Sequence, residues 1–172
     1  MATLAQAAAL AVVARLSAIN GAGVFVSDLS ADGQVFRGPD PHPDAPLPAV
    51  GVTLYNDSES FATFSQGDLT LFLRLFCYLD ATDLPATLAD PTGYGEMEDR
   101  ISQLKDDVRR TLETNLLRTA LSAHLAGLGS GVKIRYKDSP RVGDADNAPV
   151  GQYQMDLEIT VRVDRSTQAP GA

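Results

Sequence analysis

A chain of 172 residues with 44% hydrophobic content can pack one domain with a real core, which excludes global disorder and leaves room for a small appendage at most. A net charge of −8 and a pI near 4.6 exclude a surface built to grip nucleic-acid phosphates, which needs a basic face, though not a wall past which DNA slides without sticking. Cys77 is the single cysteine, which excludes an intrachain disulfide and suits a reducing compartment.

The opening stretch, MATLAQAAALAVVARLSAING, has the look of a signal peptide but lacks a basic start, and its apolar run is broken by Gln6 and ended by Arg15. No run reaches the roughly 20 apolar residues of a membrane helix, so a soluble intracellular protein is expected. Alanine-rich residues 3–19 predict a first helix with Ala9, Val12, Val13, Leu16 and Ile19 on its apolar face, Thr3 as a possible N-cap and Asn20-Gly21 as the stop. Gly23 to Asp28 reads as a short strand with Val24 and Val26 on one face, followed by a turn at Ser30–Gly33 and a second short strand at 34–37. The prolines of 38–48 exclude helix and central strand there. This segment is either a stiff surface connection or an arm that reaches a neighbouring subunit.

Ala49 to Tyr55 alternates as a strand, and Asn56 to Asp68 reads as a polar loop carrying Phe61 and Phe64, which either form a contact surface or tuck back into the core. Leu69 to Leu79 is the strongest strand. Leu69, Leu71, Leu73, Leu75, Cys77 and Leu79 share a face that must be core, while Thr70, Phe72, Arg74, Phe76 and Tyr78 share the other. Three aromatics around one arginine are too apolar for open water, so a helix or another subunit must cover that second face. Residues 80–94 read as a linker.

The stretch from Gly95 to Leu128 predicts the spine of the domain. Met97, Ile101, Leu104, Val108 and Leu112 recur at helical spacing, acidic residues crowd the start and arginines follow, as a helix dipole favours. After Leu112 the apolar stripe changes phase, so the helix either kinks near Asn115 or buries its second half on a different side. Residues 132–136 predict a strand, 137–149 a polar loop and 150–163 a long strand with one buried and one wet face, a pattern of antiparallel pairing. The order predicts one α+β domain over 1–165, with a mixed, largely antiparallel sheet packed against a long amphipathic helix and an N-terminal helix, and a disordered tail at 166–172.

Catalytic constellations are scarce. His42 lies in the proline-rich segment, and His124 near Ser122 has no useful helical spacing to it. Cys77 falls on the leucine face and reads as a buried, inert thiol. The Asp144-Ala-Asp146-Asn147 run opens like a calcium loop, but Pro149 and Met155 stand where that loop needs glycine and glutamate. Gly127, Gly129 and Gly131 follow a helix and precede a strand, the wrong direction for a phosphate cradle. No cofactor, metal or enzymatic activity is expected, and the profile suits a subunit of an assembly whose strands and loops meet neighbours.

The order of segments resembles one family. An N-terminal helix is followed by Leu47-Pro-Ala-Val50 entering a strand that ends in Leu54-Tyr-Asn-Asp-Ser-Glu59. Then come the strong strand 69–79, the acidic-start helix EDRISQLKDDVRRTLE and a glycine-led strand from Gly151 to Val163. Over about 1–165 this is similar to the tail terminator (minor tail protein U-like) and tail-completion proteins of long-tailed bacteriophages. The resemblance implies a hexameric ring that caps the head-proximal end of the tail tube, stops its polymerisation and offers a surface to head-completion and neck proteins. It also implies a location in the virion and a lumen through which DNA passes without specific binding. Phe72, Arg74, Phe76 and Tyr78 are the candidate subunit interface. Phe61, Phe64, Lys137, Asp138, Arg141, Asp144 and Asp146 are candidate partner contacts. The competing readings are a small α+β enzyme or ligand-binding domain with a site at a subunit interface, and another connector or adaptor protein.

Overall fold

The computed structural model describes residues 4–42, 44–61, 66–80, 89, 94–113, 119, 132–138 and 150–164. Its elements are α1 (Leu4–Leu16), β1 (Val35–Arg37), β2 (Ala49–Phe61), β3 (Gln66–Asp80), α2 (Tyr94–Thr111), β4 (Val132–Asp138) and β5 (Val150–Asp164). The five strands form one sheet in the order β1-β2-β3-β5-β4. The β1–β2 pair is parallel and the other three are antiparallel. This is the α+β architecture expected, with a mixed sheet and both helices on the same face.

The centre of the sheet is the β3–β5 ladder, unbroken from Gln66↔Asp164 to Asp80↔Val150. Its register sets Leu71, Leu73, Leu75 and Cys77 opposite Ile159, Leu157, Met155 and Tyr153, so two apolar stripes of period two fall on one face. Val50 and Val52 extend this face on β2. Ala8, Ala9, Val12 and Leu16 of α1, and Met97, Leu104, Val108 and Leu112 at the helical spacing of α2, close over it, and all are buried. No helix among the described residues is long and apolar enough to cross a membrane.

Several elements differ from the expectation. Helix α1 ends at Leu16 rather than residue 19, in a turn where Ile19 N–H donates to the Leu16 carbonyl at 3.0 Å. Helix α2 ends at Thr111 and is 18 residues long. Leu112 and Glu113 are not helical and Thr119 is helical again, so the helix does not run unbroken through the stretch of the expected kink near Asn115. Helix α2 stops where the apolar stripe changes phase, and its last carbonyls are taken up from outside. The Tyr136 hydroxyl donates to the Leu112 carbonyl at 2.8 Å, and Arg15 Nε donates to that of Thr111 at 3.5 Å. Apart from Leu112, Glu113 and Thr119, the rest of the stretch to Leu128 lies outside the described residues, as do the tail from 165 and, apart from Asp80, Ala89 and Tyr94, the linker.

The expected strand Gly23–Asp28 is a turn-rich loop closed by a single bridge, Asn20↔Asp28. Gly21 and Gly23 take positive φ (63° and 66°), and Val24 and Val26 face solvent. The loop is held from α2 instead: the N–H groups of Val26 and Ser27 donate to Asp107 Oδ2 at 2.9 and 2.7 Å, and Arg110 donates to the Val24 carbonyl. Strand β1 therefore has no hairpin partner before it and pairs with β2 as Val35↔Val50 to Arg37↔Val52.

The expected polar loop 56–68 is largely strand. β2 continues through Phe61 and β3 begins at Gln66, pairing from Asn56↔Phe72 to Phe61↔Gly67. A bulge between Leu54 and Asn56 adds Tyr55 and re-phases everything after it. In the proline-rich segment the described residues return to the same chain. The Gln34 amide donates to the carbonyls of Asp28 (2.9 Å) and Pro48 (3.0 Å), and the Tyr78 hydroxyl donates to that of Pro39, which favours the stiff connection over a reaching arm.

Candidate interaction face

Because both helices pack on the leucine face, the other face of the sheet has no helix over it among the described residues. The ladder registers assemble this outer face row by row. Thr53, Arg74 and Asp156 form one row; Asn56, Phe72, Glu158 and Arg135 form the next; Thr70, Thr160 and Lys133 belong to the third. Phe72, Arg74 and Phe76 are half-buried, and Tyr55 is 49% exposed.

At its centre Arg74 and Asp156 stand directly opposite across β3 and β5. Arg74 Nε donates to Oδ1 at 2.7 Å and an Nη to Oδ2 at 3.1 Å, a two-pronged fork. The carboxylate accepting these bonds holds the guanidinium above its ordinary pKa. The same guanidinium lies 5.0 Å from the centre of the Tyr55 ring, and Tyr55 and Phe72 are tilted against each other at 6.2 Å. Thr70 and Thr160 hydroxyls meet at 3.2 Å. The result is a preassembled surface of aromatic rings interleaved with a tethered ion pair.

The structure thus brings together three of the four residues expected at an interface, Phe72, Arg74 and Phe76. Tyr78 is withdrawn from it: the ring is 4% exposed, 6.4 Å from the ring of Phe36, with its hydroxyl on Pro39, and burial raises its pKa. Of the expected loop contacts, Phe61 is in β2, and Lys137 and Asp138 are in β4, so these three sit on strands and not in loops. Phe64, Arg141, Asp144 and Asp146 lie outside the described residues, as does His124. Sequence reasoning missed Tyr55, which alternation places on the face of Thr53 but only the β2–β3 register sets beside Arg74, and Asp156, whose pairing needs the register of strands 82 residues apart.

Other places offer less chemistry. Cys77 is buried, and desolvation pushes its thiol up to about 12, so no thiolate forms near neutrality. His42 is exposed, 3.7 Å from Asp44. A shallow cleft of about 250 Å³ is lined by Val26, Pro48, Leu79, Asp80, Arg100 and Gln103, but Arg100 is engaged by Glu96 at 3.0 Å. Among the described residues no group of three or more His, Cys, Asp or Glu side chains could hold a metal. No family model matches the chain, and no curated protein does.

Proposed function

We propose that this protein is a structural ring subunit of a long-tailed bacteriophage, a tail terminator that caps the head-proximal end of the tail tube and presents a surface for head–tail joining. The supporting observation is the outer face of the sheet. Rings of Tyr55, Phe72 and Phe76 around the Arg74–Asp156 fork sit on rigid strands, on a face that the chain's own described helices leave open. A preorganised mixture of aromatic and polar groups is what a protein–protein contact uses, since little ordering remains to be done on binding. A ring needs one patch to meet a different patch and close by rotation. In this reading the partners are further copies of the chain, the tail tube protein and the neck proteins, and the net charge of −8 suits a lumen that DNA traverses without adhering.

The test is direct. Negative-stain microscopy of the purified chain is expected to show rings with a central hole, and phage lacking the chain is expected to make overlong or unjoined tails. A chain that remains monomeric up to millimolar concentration, together with normal tails in its absence, would overturn the proposal.

A further inference from the structure

Among the described residues the sheet has two unpaired edges, one carrying basic residues and the other an acidic residue between neutral polar ones. Among the described residues β4 pairs only with β5, and β2 beyond Leu54 pairs only with β3, because β1 covers no more than Val50–Val52. The β4 edge reads VKIRYKD, with Lys133 and Arg135 exposed on the outer face. The open β2 edge reads NDSESF, with Asn56, Asp57 and Ser58 exposed and no basic residue.

We infer that neighbouring copies of this chain join edge to edge, β4 of one against the Asn56–Phe61 part of β2 in the next. The inference rests on the ring reading above and names the two surfaces that close the ring.

Three observations carry it. The first is direction. β2, β3, β5 and β4 alternate, so β4 runs opposite to β2. A second copy set beside the first without inversion presents its β2 antiparallel to β4, the more stable pairing. The second is charge on both faces of the sheet. On the outer face Lys133 and Arg135 would lie beside Asn56 and Ser58, whose side-chain oxygens accept from cations. The bulge at Tyr55 turns Asp57 to the helix face, in register with Leu71, and on that face the Arg109 guanidinium stands 5.9 Å over the Tyr136 ring of β4. The third is exclusion of the symmetric alternatives. A β4–β4 pair would set lysine and arginine against each other, and a β2–β2 pair would bring the Asp57 carboxylates of two copies onto one face, and like charges placed together destabilise a ladder. Joining β4 to β2 satisfies both rows of backbone groups at once and, among the described residues, leaves only the three-residue β1 as an edge, too short to template aggregation readily.

Disulfide trapping tests this, since the native thiol of Cys77 is buried and does not compete. Ser58→Cys or Asn56→Cys chains are mixed with Arg135→Cys or Lys133→Cys chains under mild oxidation, the four combinations covering a two-residue slip of register. Disulfide dimers containing one chain of each kind are expected, with single variants alone remaining uncrosslinked. The chain carrying both Ser58→Cys and Arg135→Cys is expected to give a covalent ladder ending in a closed ring. Arg135→Glu is expected to disperse the assembly, and adding Ser58→Arg to restore it. Rings visible by microscopy without crosslinking in any combination, or Arg135→Cys chains crosslinking to one another, would overturn the edge pairing while leaving the ring standing. A chain that never assembles would overturn both.

Discussion

Arg74 and Asp156, 82 residues apart in sequence, lock β3 to β5 through two hydrogen bonds of 2.7 and 3.1 Å. Their side chains keep 34% and 17% of their exposure, so this is neither a fully screened surface pair nor a buried one. A double-mutant cycle with Arg74→Gln and Asp156→Asn is expected to give a coupling of about 1–2 kcal/mol in denaturant unfolding. Arg74→Gln also frees the Tyr55 ring of its cation. If the outer face is the contact surface, this variant should impair assembly more than the loss of stability accounts for. Equal effects on both would show that the fork serves the fold alone.

Asp107 sits on α2 with 2% of its surface exposed and accepts the N–H groups of Val26 and Ser27. One carboxylate oxygen thus substitutes for the strand partner that Gly23–Asp28 lacks. Asp107→Ala is expected to cost roughly 2 kcal/mol, because it removes two charge-assisted bonds while water can still reach the freed loop. The loss should be local first. Amide exchange at 24–28 is expected to speed up before that of the sheet, and uniform acceleration through β3 would contradict this account.

What the sequence made legible follows from what strands and helices do to side chains locally. The alternation of 69–79 and 150–163 identifies both central strands and their buried face, because a half-buried strand imposes period two on its residues. Where the deciding partner is remote, reading fails. Asn56-Asp-Ser-Glu-Ser60 has poor strand propensity, yet β3 alongside holds it in the ladder. Gly23-Val-Phe-Val26 has good propensity, yet a carboxylate about 80 residues away and two positive-φ glycines make it a loop. The outer face was legible as an aromatic stripe around Arg74. Tyr55 and Asp156, which complete it, reach Arg74 through the pairing registers of β2 and β5 with β3, which no local pattern announces.

Gly51 reads as an ordinary small residue in an alternating strand, but its place in the sheet demands the absence of a side chain. A methyl group there would meet the Gly38 carbonyl and come within 2.8 Å of the Phe36 ring, which folds over β2 from β1. Gly51→Ala is expected to destabilise by about 1–3 kcal/mol, since the backbone at Gly38 cannot yield as a flexible side chain would. The same change should loosen Phe36 from Tyr78 and unpair β1, read as faster amide exchange at 35–38. A neutral substitution would mean that β1 is not held in its register by this contact.

Buried neutral groups, Cys77 and Tyr136 foremost, set the alkaline limit of the fold. Desolvation pushes Cys77 up to about 12 from 9.0 and Tyr136 up to about 12 from 10.0. Both ionise more easily once unfolded, so above pH 9 the unfolded chain binds fewer protons than the native one, and stability falls as pH rises. The contribution of each is complete below its unfolded value and is lost progressively toward pH 12. For the fully buried thiol the slope is at most about 1.4 kcal/mol per pH unit. Unfolding by urea is therefore expected to show a flat midpoint through neutrality and a decline beginning near pH 9. Cys77→Ala should delay that decline to about pH 10, at the cost of a small cavity and about 1 kcal/mol at pH 7. Tyr136→Phe should flatten the upper part and weaken the end of α2, whose Leu112 carbonyl loses its donor. An unchanged alkaline profile in both variants would mean that neither group governs the limit.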